Sequence, residues 1–215
     1  MKSFAIILSG SGVYDGAEIH EATMTMLAVL KHGGKYRVFA PDIEQYHVLN
    51  HITGEVMDEK RNVLIESARI ARGDIKPLSE FNIDDFDALI MPGGFGVAKN
   101  LSDFALKGAD CTVNKEVEAA IKNTVAAKKP LGALCISPAI VAKVLKDVEV
   151  TVGQDKATIE GIEAMGAHHK KTNHGEVIVD EKYNVFTTPC YMLDANILQI
   201  AEGAENIVSA MMERL

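Results

Sequence analysis

Apolar residues fall in short runs separated by longer stretches with helical spacing. Phe4–Leu8, Tyr36–Ala40, Asp87–Met91 and Leu131–Leu134 are runs of strand length, rich in β-branched and aliphatic residues. Between them, Ala17–Leu30 repeats apolar residues on one stripe (Ile19, Ala22, Met26, Leu30) and closes on Gly33-Gly34, a helix stop. Asn114–Lys128 gives the clearest helical pattern, and a last helix is expected from Leu193 to Arg214. Strands alternating with helices predict an α/β fold with a mainly parallel sheet, right-handed crossovers and helices on both faces. Two segments depart from the pattern. His47–Asp58 reads as a hairpin about Thr53-Gly54, and Thr151–His174 mixes helix-like and loop-like stretches with clustered histidines. No repeat, low-complexity tract or linker divides the chain, so residues 1–215 are expected to form one domain.

Composition narrows the function classes. With 215 residues and 47% hydrophobic content the chain can bury a core without staples. A net charge of −8 argues against nucleic acid or an anionic membrane as partner. No apolar run approaches the roughly 18 residues of a membrane span. Cys111, Cys135 and Cys190 are widely spaced and odd in number, which reads as reduced thiols rather than a disulfide framework or a metal site. The segment from Met1 onward has no signal-peptide pattern, and the expected setting is cytoplasmic, with a transit peptide removed ahead of residue 1 left open.

The chemistry concentrates in three places. In Pro130-Leu131-Gly132-Ala133-Leu134-Cys135-Ile136-Ser137-Pro138 an apolar strand runs into Cys135, and Pro138 suits the first turn of a helix. That puts the thiol at the carboxyl end of a strand, where open α/β sheets bind ligands, and at a helix N-terminus, which is expected to lower its pKa. The arrangement matches a nucleophile elbow without its usual glycine spacing; an inert buried cysteine is the competing reading. Next, Met91-Pro92-Gly93-Gly94-Phe95-Gly96 follows a strand directly. Backbone amides there, together with that of Ile136, can form an oxyanion hole; a plain glycine turn is the alternative. Finally, Glu21 lies on a helix that is apolar nearly all round. Its carboxyl is expected to be buried, with a raised pKa, and able to carry protons for the thiol. Glu18 is expected in water at the helix start. His20 points about 100° away from Glu21. His168, His169 and His174 suggest no metal site, and Ser9-Gly10-Ser11-Gly12 lacks the lysine of a phosphate loop.

Together these segments resemble the PfpI-like branch of the class I glutamine amidotransferase-like superfamily, and within it the ElbB-type glyoxalase group, linked by name to isoprenoid (lycopene) biosynthesis. The resemblance is carried by Leu8-Ser9-Gly10-Ser11-Gly12-Val13-Tyr14-Asp15-Gly16, Glu18-Ile19-His20-Glu21, Met91 to Gly96, Cys135 to Ala139 and Thr187 to Met192. It implies a flavodoxin-like three-layer sandwich with Cys135 strained on its elbow, Glu21 hydrogen-bonded to the cysteine, and Gly94 and Ile136 as oxyanion donors beside Gly93. It also implies a homodimer and a cofactor-free, glutathione-independent glyoxalase acting on a small aldehyde, glyoxal or methylglyoxal. The chain departs from other branches. Ile136 stands where proteases of the superfamily carry a histidine after the nucleophile, and the late His-x-Glu pair of the amidotransferases is missing from Thr188-Pro189-Cys190-Tyr191. Peptide or glutamine hydrolysis is therefore not expected. A cysteine-based redox sensor and a regulatory scaffold that has lost catalysis remain alternatives.

Overall fold

The computed structural model describes every residue from Met1 to Leu215. Strands and helices alternate as β1 (Ser3–Ile7), α1 (Ile19–Lys31), β2 (Lys35–Ala40), α2 (Val63–Ile70), β3 (Ile75–Pro77), β4 (Ala88–Met91), α3 (Phe95–Lys99), α4 (Phe104–Lys107) and α5 (Lys115–Ala126). The chain continues through β5 (Leu131–Leu134), α6 (Ser137–Leu145), β6 (Glu149–Val150), α7 (Lys156–Ala164), β7 (His168–His169), β8 (Ile178–Asp180), β9 (Val185–Thr188) and α8 (Ile197–Met212). Seven strands form one sheet in the order β3-β2-β1-β4-β5-β9-β8, parallel except for β8, and β6 pairs with β7 in a small separate sheet.

Strand alternation sorts the core into two layers. Phe4, Ile6 and Ile90 face the layer completed by α1 and α8, whereas Ala5, Ile7, Leu89 and Met91 face the layer covered by α3 to α7. Both faces of the central strands are buried, so these strands read as continuous apolar runs rather than as alternating ones. The result is the expected flavodoxin-like three-layer sandwich.

The chain leaves β1 toward β2 and β3, then crosses back to β4 on the other side of β1. This reversal opens a crevice at the carboxyl ends of β1 and β4. The segments after β1, β4, β5 and β9 all gather at that edge, and they are the segments singled out in the sequence.

Helix starts were read one to four residues early because caps share the apolar pattern. Glu18 caps α1 through a 2.7 Å bond from the Glu21 N–H, Asn114 caps α5, and Asn196 forms a capping box with Gln199 ahead of α8. Glu18 is buried, not in water as expected, because its carboxylate is taken up by that cap. The expected hairpin at His47–Asp58 reduces to a single antiparallel bridge between Leu49 and Val56, since the exposed loop has no sheet face to pack on. α2, β3, β8 and β9 escaped the sequence reading: each has at most eight residues, too few for periodicity to show.

Candidate active site

β5 is buried on both faces and continues its ladder with β9 through the Cys135 N–H, which donates to the Thr188 carbonyl at 3.0 Å. The chain then turns abruptly. Cys135 adopts φ +60°, a left-handed conformation that costs a residue with a Cβ about 1–2 kcal/mol. α6 begins two residues later with Pro138 in its first turn, and the Ser137 hydroxyl donates to the Pro92 carbonyl at 2.8 Å, tying the elbow to the loop after β4. The strain persists because both flanks are fixed.

Gly93 lies flush against the elbow. A Cβ there would stand 2.4 Å from the Cys135 Cβ and 2.8 Å from both its sulfur and Glu21 Oε2. Gly94 has φ +97°, and a Cβ on it would meet the Glu18 nitrogen at 2.4 Å. Only glycine allows α1 to approach this loop so closely. The Gly93 carbonyl accepts from the Glu18 N–H at 2.9 Å, and the Gly93 N–H donates to Glu21 Oε2 at 2.9 Å. The Tyr191 N–H adds a longer bond to Glu21 Oε1 at 3.3 Å. The loop after β1 is held by Asn100, whose Nδ2 donates to the carbonyls of Ser9 and Asp15 at 2.9 and 2.8 Å.

Thus Cys135, Glu21, Gly93, Gly94 and Ile136 converge on one point. Glu21 is fully buried beside the Cys135 sulfur; burial first, then the nearby Glu18 charge, raises its carboxyl from the ordinary 4.5 to about 8. The backbone amides of Gly94 and Ile136 lie next to the sulfur and favour its ionised form. The thiol nevertheless departs from the sequence expectation. Burial pushes it well above its ordinary value and the Glu21 charge pushes it further, against the pull of the two amides. Cys135 is only 7% exposed, and desolvation outweighs the field of the helix N-terminus. At neutral pH the pair therefore rests mainly as thiol and carboxylic acid, one proton more than the ionised sulfur read from the sequence.

The sulfur faces a cavity of about 390 Å³ bounded by Val13, Phe95, Ile136, Thr158, Tyr191 and Met192. Glu21 does not line it; the carboxyl sits behind the sulfur. Cys190, which was not read as a site residue, is buried with φ +42°, its thiol pushed up by burial and then by Glu21. Tyr191 was also missed as a functional residue. It lies within Thr187 to Met192, a segment that carries the resemblance, but nothing in that segment marks the tyrosine itself, and only the path of the chain brings it to the cavity.

A flavodoxin-like sheet with a cysteine elbow at its switch point, backed by a glutamate from the first helix, defines a protein of the glutamine amidotransferase-like class. No family model matches the chain. It is 47% identical over 219 aligned residues to the rat (Rattus norvegicus) "ES1 protein homolog, mitochondrial", covering 97% of this chain and 82% of the relative. The human "Glutamine amidotransferase-like class 1 domain-containing protein 3, mitochondrial" is 46% identical over the same shares of both chains. The chain belongs to this ES1 family of glutamine amidotransferase-like class 1 domain proteins. Among solved structures, an isoprenoid biosynthesis protein with an amidotransferase-like domain from Ehrlichia chaffeensis superposes with a TM-score of 0.93 at 36% identity, covering 99% of both chains. Drosophila melanogaster DJ-1beta, at 16% identity and a TM-score of 0.58 over 99% of this chain and 89% of its own, shares the fold.

The cytoplasmic setting expected from the sequence is overturned by these relatives, which are named mitochondrial, as is the zebrafish (Danio rerio) ES1 protein at 34% identity over 98% of this chain and 85% of its own. Reduced thiols and an acidic composition do not distinguish one reducing compartment from another, so the residues could not have decided the matter.

Proposed function

We propose that the protein is a cofactor-free cysteine enzyme of the ElbB-type glyoxalase kind, converting glyoxal or methylglyoxal to the corresponding 2-hydroxy acid. The observation that carries this reading is the buried Glu21 carboxyl beside the Cys135 sulfur, both against Gly93, at the floor of a small cavity, with the backbone amides of Gly94 and Ile136 next to the same sulfur. Such a pair supplies a nucleophile and a proton carrier, and the chemistry requires no histidine after the nucleophile, where Ile136 stands.

The reactive form is the pair with one proton removed. As sulfur bonds to the aldehyde carbon, the thiol proton passes to the Glu21 carboxylate. The carbonyl oxygen gains negative charge between the Gly94 and Ile136 amides, then takes that proton to give a hemithioacetal. Glu21, again a carboxylate and now beside the carbon bonded to sulfur, removes the proton on that carbon. The enediol forms as the neighbouring carbonyl oxygen is protonated by a second donor. Glu21 then returns its proton to the adjacent carbon, leaving a thioester. Water hydrolyses it to glycolate or lactate and regenerates the thiol. A redox sensor needs an accessible thiolate, which a buried sulfur with a raised pKa supports less well.

Following glycolate from glyoxal tests the reading. The wild-type rate should climb about tenfold per pH unit below pH 8 and level off above it, since Glu21 must ionise. Cys135→Ala should abolish turnover, and an equal rate in that variant removes the proposal. The relatives' names support a mitochondrial setting. A homodimer belongs to the same reading. The exposed Leu27 and Leu30 of α1 and Ile197 and Leu198 of α8 give it an apolar face, and a monomer in sedimentation would remove that part.

A further inference from the structure

The isomerisation leaves one demand unmet. While Glu21 removes a proton from carbon on the sulfur side, the neighbouring carbonyl oxygen has to gain one, and Glu21, engaged as the base in that step, cannot supply it. Besides Cys135, the cavity lining holds two titratable side chains, Asp155 and Tyr191; the Asp155 carboxyl caps α7, accepting from the Thr158 N–H at 2.9 Å, which leaves the Tyr191 hydroxyl as the donor. That hydroxyl lies 2.8 Å from His20 Nδ1, and His20 is about half exposed at the start of α1. Glu18 Oε1 stands 3.9 Å from the same nitrogen. With Nδ1 protonated, the imidazole donates to the tyrosine oxygen, and the phenol proton is free to turn into the cavity.

We infer that Tyr191, re-protonated by His20 from solvent, is the proton donor to the second carbonyl oxygen of the dicarbonyl substrate. This rests on the glyoxalase reading above. The step balances without an added reagent. Tyr191 gives its proton to the second carbonyl oxygen as Glu21 takes the carbon-bound one, and the phenolate is refilled from His20 Nδ1. When Glu21 re-protonates carbon, the hydroxyl of the first carbon collapses to the thioester carbonyl and releases its proton back through Tyr191 to His20. Each group ends as it began. The groups facing the Tyr191 hydroxyl are His20 and Glu18 from α1, Glu21 behind the site and Cys190 beside it. Burial first, then the Glu18 and Glu21 carboxyls, hold the phenol above its ordinary value, so it stays protonated until a developing enediolate draws the proton out. The Tyr191 backbone N–H, on the same residue, braces Glu21, so the two proton carriers are set in register by one peptide. A proton route on a motif far from the elbow would thus replace the histidine that Ile136 displaces.

Tyr191→Phe removes only the hydroxyl and keeps the ring and the backbone N–H to Glu21. It should lower kcat for methylglyoxal on the order of 10²-fold with KM changed less than about twofold, as expected for loss of a general acid. His20→Gln should lower kcat about tenfold and be partly rescued by added imidazole, which a merely structural histidine would not be. Turnover lost in Cys135→Ala but undiminished in Tyr191→Phe overturns this inference and leaves the glyoxalase reading standing. A fall in Tyr191→Phe expressed mainly in KM also overturns it, because it would mark a binding contact. Absence of turnover in the wild-type protein overturns both.

Discussion

Replacing Glu21 by glutamine isolates the energetic consequence of burying a carboxyl beside the nucleophile. The glutamate titrates at about 8 in the folded protein against 4.5 ordinarily. A group whose folded pKa is raised stabilises fully below its unfolded value, and that contribution is lost as pH rises to the folded one. Between pH 4.5 and 8 wild-type stability should therefore fall by about 1.4 kcal/mol per pH unit from this residue alone, or about 5 kcal/mol in all and about 3 kcal/mol by pH 7. Glutamine carries no charge at any of these pH values. Its oxygen can keep the 2.9 Å bond from the Gly93 N–H. The loss is the acceptor for the Tyr191 N–H, whose 3.3 Å bond is worth about 1 kcal/mol. Glu21→Gln should accordingly be near neutral or slightly destabilising at pH 5 and more stable than wild type by about 2 kcal/mol at pH 7. The difference should widen further to pH 8. Urea unfolding of both proteins from pH 5 to 9 measures it, and at pH 7 the variant should melt roughly 4–8 °C higher. A stability difference that stays constant across this range would refute the reasoning, since it would mean that Glu21 is ionised at the same pH folded and unfolded. The same variant should lose turnover, placing stability and chemistry in opposition at one carboxyl.

Three further substitutions probe the site's construction. Gly93→Ala forces a methyl group to within 2.4 Å of the Cys135 Cβ and should cost about 1–3 kcal/mol and nearly all activity; an active, stable variant would show that the loop yields. Asn100→Ala strips the donor from the Ser9 and Asp15 carbonyls and should destabilise by about 2–4 kcal/mol in urea, whereas a loss below about 1 kcal/mol would show that water satisfies them. At the elbow, Cys135→Gly should be more stable than Cys135→Ala by about 1 kcal/mol, because only glycine adopts φ +60° without strain; the reverse order would mean that the Cβ contacts of residue 135 outweigh the backbone term.

The residue pattern alone determined the alternation of strands and helices, the four apolar strands of the sheet's centre, and the candidacy of Cys135 and the glycines after β4. Those features are local. An apolar run of four or five residues, a proline three residues beyond a cysteine, and paired glycines after a strand each announce themselves within one window. The burial of Glu21 was legible too, because α1 is apolar around most of its circumference. Short edge elements such as β3, β8 and β9 were not, since three or four residues carry no period and their strand character comes from the neighbours they pair with.

Only the tertiary structure decided the protonation of the pair. A cysteine at a helix start reads as a lowered pKa, yet the opposite holds here, because desolvation depends on what the other strands and α1 lay over the sulfur. The role of Tyr191 is of the same kind. It is separated by 170 residues from the carboxyl its backbone braces and by 171 from the imidazole its hydroxyl meets, and the crossing that ends β9 beside α1 unites them. Local chemistry is written in the order of residues, whereas electrostatics and proton routes depend on distances through space, which that order leaves open until the sheet is assembled.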